Sequence, residues 1–270
     1  MTTIQKPLAT VFLAGFFGSI SCFILHAEVP GATPEKNSES PGATAAVESD
    51  ATRPVDKDPA FIAKWGNALD PDSDCKFTMD GKDLKISVPG SAHAHDFAAE
   101  LKNISGPSVT QLVKGDFTVS VTVDAKYFAS DETTEPTRWG YHGAGLVVLA
   151  DPDNYITLQR AAQRPPGRNQ FECINYELRK DAKRSWLPSA VNLVGLPDEN
   201  PPFEMRLERK GKKLIASIDH SGDDWKIVWT DDLPDAWPDE LRVGVVAVSS
   251  SKEPFYPVFR EYSLKTEGSK

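Results

Sequence analysis

The chain has 270 residues, 40% of them hydrophobic, which is apolar material for one sizeable core or two small ones. Its formal net charge of -9 is scattered along the sequence, repels phosphate backbones and argues against nucleic acid as a partner. Thirteen Phe, six Trp and six Tyr exclude global disorder.

Residues 1–27 predict an export signal. Lys6 is the only charge there, an apolar run covers residues 8–25, and Ala27 offers a small residue for cleavage before Glu28. The run is also long enough to span a bilayer, so a retained anchor is the alternative; once cleaved, the chain keeps no stable membrane span. Glycines and serines at 15, 18, 19 and 21 dilute the run and favour cleavage. Removal takes Cys22 with it and leaves Cys75 and Cys173, which either pair in an oxidising compartment or stay as separate thiols. Residues 28–59 hold no aromatic residue, repeat Pro-Gly-Ala-Thr at 30–33 and 41–44, and carry more acids than bases. Such a segment buries too little apolar surface to offset its ordering entropy and predicts a flexible tether.

From about residue 60 to 270 the rhythm becomes short and two-fold. Residues 60–65 suggest a turn of helix. Residues 75–79 and 84–88 flank Asp80-Gly81 and predict a hairpin. In 117–123, Phe117, Val119, Val121 and Val123 share one face. Strands follow at 145–149 and 155–160, around the turn cluster Asp151-Pro-Asp-Asn154, and then at 171–179. Further strands are predicted at 203–209, 214–218, 225–229, 241–248 and 257–264. With no other helical pattern, these imply an all-β sandwich of two antiparallel sheets.

Several segments resemble a known family. They are Asp70-Pro-Asp-Ser-Asp-Cys-Lys-Phe77, Leu84-Lys-Ile-Ser-Val-Pro-Gly90, His95-Asp96, Gly115-Asp-Phe-Thr-Val119 and Gly143-Ala-Gly-Leu146. Asn154-Tyr-Ile-Thr-Leu-Gln-Arg-Ala161, Asn175-Tyr-Glu-Leu-Arg179, Arg206-Leu-Glu-Arg209 and Val243-Gly-Val-Val-Ala247 continue the series in family order. Together they resemble the concanavalin A-like domains of unknown function termed "regulation of enolase" proteins, relatives of the sandwich at the C-terminus of some β-xylosidases. The resemblance implies a jelly roll with a concave sheet and no particular reaction.

Chemistry is sparse. The Glu-x-Asp-x-x-Glu strand motif of glycoside hydrolases with this fold is absent. Glu204 and Glu208 share a strand face, but four residues of strand separate them by ~13 Å. Glycoside hydrolysis needs carboxylates ~5 Å apart for retention or ~6.5–9.5 Å for inversion. Glu208 would have to meet Glu177 on a neighbouring strand. No Gly-x-Ser-x-Gly, phosphate loop or cysteine-nucleophile signature occurs. Asp70-x-Asp72-x-Asp74 copies the opening of a calcium loop, but Cys75 stands where Gly is needed and Gly81 where a bidentate Glu is needed. His93 and His95 face one way on an extended segment. A loop pinned by hydrogen bonds accounts for them, so no metal ligand and no cofactor is assigned. Ser217-x-Asp219-x-x-Gly222-x-x-Trp225 is similar to an Asp-box hairpin and reads as structural, with Trp225 packed beneath the turn.

Strand alternation yields the candidate face. With Ile156, Leu158, Ile174, Tyr176, Leu178, Met205 and Leu207 inward, Thr157, Gln159, Asn175, Glu177, Glu204, Arg206 and Glu208 point away from the core. If the three strands are adjacent they make one polar platform, with Trp139, Tyr141 and His142 in a loop as its aromatic wall. The expectation is an exported protein, whether periplasmic, surface-bound or secreted. It is a non-catalytic binding module for a glycan or another envelope component, through Trp139, Tyr141, His142, Thr157, Gln159, Asn175, Glu177, Arg206 and Glu208. A glycoside hydrolase or lyase and a structural or protein-interaction domain are the alternatives. The sequence does not set the oligomeric state.

Overall fold

The computed structural model describes residues 60–90, 93–184, 190–192, 202–219 and 224–266; the export signal and tether expected at 1–27 and 28–59 lie outside them. In chain order the first strands are β1 (Phe61–Ile62), β2 (Gly66–Leu69), β3 (Lys76–Asp80), β4 (Asp83–Ser87) and β5 (Phe97–Ala98). After a 3-10 turn at Ala99–Leu101 come β6 (Asn103–Ile104), β7 (Ser108–Lys114), β8 (Phe117–Asp124), β9 (Gly140–Asp151), β10 (Asn154–Arg164) and β11 (Phe171–Lys180). Then follow β12 (Lys183–Arg184), β13 (Ala190–Asn192), β14 (Phe203–Lys210), β15 (Lys213–Asp219), β16 (Lys226–Asp232), β17 (Glu240–Ser249) and β18 (Val258–Thr266). No helix among the described residues is long and apolar enough to cross a membrane.

The strands form two large antiparallel sheets. The nine-stranded sheet runs β1-β2-β7-β17-β9-β10-β11-β12, with β13 also paired to β11. The seven-stranded sheet runs β16-β15-β14-β8-β18-β4-β3. Some neighbours are consecutive hairpins and others are distant in sequence, as when β14 pairs β8 and β17 pairs both β7 and β9. This is a jelly-roll sandwich of two antiparallel sheets. Residues 60–65 are not helical: Phe61 and Ile62 pair with Asn67 and Gly66 across a turn, because a backbone bond from Trp65 N to Ile62 O reverses the chain there.

Period-two patterning builds the core between the sheets. On β8, Phe117, Val119, Val121 and Val123 are buried, while Thr118, Ser120 and Thr122 are half-exposed. They oppose Met205 and Leu207 of β14 in register and face Leu146, Val148, Ile156, Leu158, Ile174, Val243 and Val245 of the other sheet within one cluster. A buried charge closes one end of this core. Arg160, 1% exposed, pairs with Glu172 at 2.7 Å and lies 4.8 Å from the Tyr127 ring centroid.

The nine-stranded sheet is covered on its other face as well. The hairpin β5–β6 and its 3-10 turn lay Phe97, Ala99 and Ile104 against Val147, Tyr155, Val246 and Val248. Two glycines on this face allow an unusually close interstrand path. A β-carbon on Gly145 would stand 2.0 Å from Leu158 O, and one on Gly244 would stand 2.0 Å from Val109 O. Cys75 and Cys173 are both free thiols.

The fully buried Leu158 lies on β10 beneath the candidate face. Leu158→Ala is expected to lower unfolding stability in urea by about 2–5 kcal/mol, and Leu112→Ala, on an exposed leucine, by less than about 0.5 kcal/mol.

Candidate functional site

Register places part of the predicted platform together. On β10 and β11, Thr157 stands opposite Glu177 and Gln159 opposite Asn175, and all four point away from the main core. Tyr141 joins them from β9, where it is paired with Gln163. Its hydroxyl donates to Gln159 Oε1 at 2.6 Å and accepts from Asn175 Nδ2 at 3.3 Å. The ring and the Gln159 amide lie flat across Gly143, where a β-carbon would come within 2.6 Å of both side chains. Cys173 lies on the same face, its sulfur 3.5 Å from Gln163 Nε2. Burial pushes the Tyr141 hydroxyl well above its ordinary range, so it stays protonated as a donor.

The other half of the platform is elsewhere. Arg206 and Glu208 stand on β14, whose neighbours are β8 and β15 in the seven-stranded sheet. They therefore project from the opposite side of the sandwich, and Glu208 cannot approach Glu177. There Glu208 pairs with Lys210 at 2.5 Å, and the Arg206 guanidinium lies 4.0 Å from the centroid of Trp225, a half-buried ring. Trp225 thus carries an arginine on one face, and the turn it was expected to pack beneath, at 220–223, lies outside the described residues. Asp219 is buried and accepts from Asp224 N at 3.1 Å, the structural role its Asp-box position suggested.

The aromatic wall is corrected too. Tyr141 and His142 belong to β9, not to a loop, so alternation sends them to opposite faces. His142 points into the core, where its ring stacks on Phe255 with centroids 4.6 Å apart and Nε2 sits 3.0 Å from Glu253 O. Trp139, half-buried in the preceding loop, meets Phe171 edge-on at 6.5 Å.

A chain of charges flanks the polar floor. Arg179, 2% exposed, reaches Glu100 Oε2 at 2.7 Å through Nη1 and Glu177 Oε2 at 3.3 Å through Nη2. Arg184 meets the second oxygen of Glu177 at 3.0 Å. Arg138 binds the second oxygen of Glu100 and stands 3.9 Å from Asp96 Oδ2. Three carboxylates and three guanidinium groups thus alternate from Asp96 to Arg184. Burial pushes the Asp96 carboxyl up to about 6; Arg138 opposes the rise, while Glu177 and Glu100 add to it.

Sequence reasoning stopped short of Asp96, Glu100, Arg138 and Arg179. Arg179 was within reach, since 175, 177 and 179 continue one face of β11 by period two. Asp96 and Glu100 arrive on the covering hairpin, which carries no periodic signal. Away from this face, the turn holding Asp72 and Asp74 meets the segment holding His93 and His95.

No protein-family model matches the chain, and no curated protein matches it either. Among solved structures, the chain is similar to a functionally unknown protein from Saccharomyces cerevisiae, with a TM-score of 0.58 and 18% identity over 75% of this chain and 96% of that one. That likeness is one of fold. A xylan β-1,4-xylosidase from Bacillus halodurans aligns with a TM-score of 0.45 and 15% identity over 71% of this chain and 34% of that one. The carbohydrate-binding module CBM66 from Bacillus subtilis aligns at 0.42 and 10%, over 77% of this chain and 100% of that one.

His142 makes a pH prediction. Burial pushes its imidazole down to about 4, so the folded protein stays unprotonated where the unfolded chain, near 6.5, takes up a proton. Its contribution is complete above the unfolded value and is lost as pH falls from about 6.5 to about 4. Urea unfolding across that range should show stability falling with acid in the wild type and a shallower fall in His142→Gln.

Proposed function

We propose that the domain is an exported, non-catalytic binding module that takes a glycan or another envelope component on the outer face of its nine-stranded sheet. The observation that carries this reading is the convergence of Tyr141, Gln159, Asn175 and Glu177 on one floor beside Arg138 and Arg184. The carboxylate of Glu177 and the guanidinium groups of Arg138 and Arg184 offer donors and acceptors in directions fixed by the buried Gln159 and Asn175 floor beside them, which suits recognition of paired hydroxyls. Glu177, Arg138 and Arg184 keep 12%, 24% and 30% of their side-chain surface exposed, so a ligand reaches them at the margin of the covering hairpin. Export rests on the signal pattern of residues 1–27. The "regulation of enolase" type of the family is the finer reading of the motif series between Asp70 and Ala247.

Two alternatives have an observation each. Asp96, Glu100 and Glu177 gather around shared guanidinium groups, which favours a hydrolase or lyase that uses two of them. The same ion pairs and the hairpin laid over Tyr155 close much of the face, which favours a structural or protein-interaction role.

A glycan array probed with the purified protein separates the three. The binding reading expects retention of a glycan without cleavage products. Glu177→Gln, Arg184→Ala and Asn175→Ala should each weaken retention at least tenfold, and Arg206→Ala should leave it unchanged. Release of reducing or unsaturated ends that depends on Asp96 and Glu177 supports the enzyme. Loss of retention in Arg206→Ala alone moves the site to the other sheet, and absence of any retained glycan favours the structural role.

A further inference from the structure

A second constellation lies where two loops meet. The turn between β2 and β3 carries Asp72 and Asp74, and the extended segment entering β5 carries His93 and His95. His93 Nε2 stands 3.3 Å from Asp72 Oδ2 and 3.4 Å from Asp74 Oδ2. His95 Nε2 stands 2.8 Å from Asp74 Oδ1, and the two imidazole centroids are 4.7 Å apart. One donor atom from each of Asp72, His93 and His95 falls within 4.8 Å of the others.

Ligand atoms ~2.0–2.2 Å from a tetrahedral ion stand ~3.3–3.6 Å from one another. The two contacts of His93 already have that separation, and the contact of His95 needs to open by a few tenths of an ångström. Charge points the same way. Among the described residues, the ion-pair partners of Asp72 and Asp74 are these two histidines and no lysine or arginine. The two carboxylates carry the two negative charges that balance a divalent cation.

Both ligand-bearing segments are fixed by bonds that the ligands do not make. Asp70 Oδ2 accepts from Cys75 N at 2.8 Å and Asp70 O accepts from Ser73 N at 3.2 Å, which closes the turn with Ser73 at φ 59°. His95 pairs with Ser249 of β17 through both backbone groups, and its ring is 1% exposed. Such anchoring is what a preformed site requires.

We propose that Asp72, Asp74, His93 and His95 bind one divalent first-row transition ion of the zinc class. Imidazole donors select such ions over calcium and magnesium. Asp72, His93 and His95 bring three donors together, and Asp74 stands beside both histidines, 3.4 Å from His93 Nε2 and 2.8 Å from His95 Nε2. The ion ties the turn after β2 to the segment that continues directly into Asp96, and so fixes where the covering hairpin begins.

The test uses the full chain, stripped with a chelator and titrated with zinc chloride by calorimetry, then with cobalt for its visible spectrum. The expected result is one equivalent of zinc, cobalt bands of tetrahedral type, a rise in Tm with zinc, and no comparable rise with calcium or magnesium. His93→Ala and Asp72→Asn should each weaken zinc at least tenfold. Both side chains are partly exposed, at 49% and 32%, so the metal-free variants should keep the wild-type Tm. Absence of stoichiometric zinc, or binding equal to wild type in both variants, overturns the proposal. Neither result depends on whether the floor around Gln159 binds a glycan.

Discussion

Tyr155 holds the covering hairpin in place, and the character of the candidate face follows from that. Its hydroxyl donates to Phe97 O at 2.7 Å and accepts from Ala99 N at 3.3 Å, and its ring meets Phe97 edge-on at 5.4 Å. Both hydrogen bonds are buried, so losing the hydroxyl would strand a carbonyl and an amide without water. The contact gives a short hairpin, which has no core of its own, a reason to stay on the sheet. It turns an otherwise solvated sheet face into an enclosed one, where each polar group must find a partner.

The polar residues obey that requirement. Tyr141, Gln159 and Asn175 satisfy one another in a relay, and Arg179 is neutralised from two sides by Glu100 and Glu177. A buried charge is tolerated when it is paired and hydrogen-bonded, and costly when a partner is removed. Glu100 and Asp96 come from the hairpin, whereas Glu177 and Arg179 come from β11. The charge chain therefore holds the cover to the sheet as well as lining the face. A ligand that enters at Glu177 or Arg184 competes with contacts that stabilise the domain.

Much of the fold was legible in the sequence because period-two alternation reports burial one strand at a time. Phe117, Val119, Val121 and Val123 point inward as their spacing implies, and Thr157, Gln159, Asn175 and Glu177 point away from the main core. What alternation does not report is which strands are neighbours. β14 follows β11–β13 in sequence but sits in the other sheet, so Arg206 and Glu208 face a different side from Asn175 and Glu177. Nor does alternation reveal a second layer. Thr157 and Gln159, outward by parity, are nonetheless 1% and 3% exposed, on the face that the β5–β6 hairpin partly covers. His142 was misplaced for a simpler reason: β9 begins two residues before it, and one step along a strand exchanges solvent side for core.

Gly145 and Gly244 carry a consequence for how such a domain diversifies. At both positions the backbone of the next strand occupies the space that any side chain would need, so the local path is set by main chain alone. The residues beside them on the same face, at 141, 157, 159, 175 and 177, contribute side chains and leave that path untouched. Form and chemistry are therefore encoded at separate sites. A lineage can rewrite the floor in coupled sets of residues while inheriting the same scaffold, much as a type-setter changes whole words without recasting the frame.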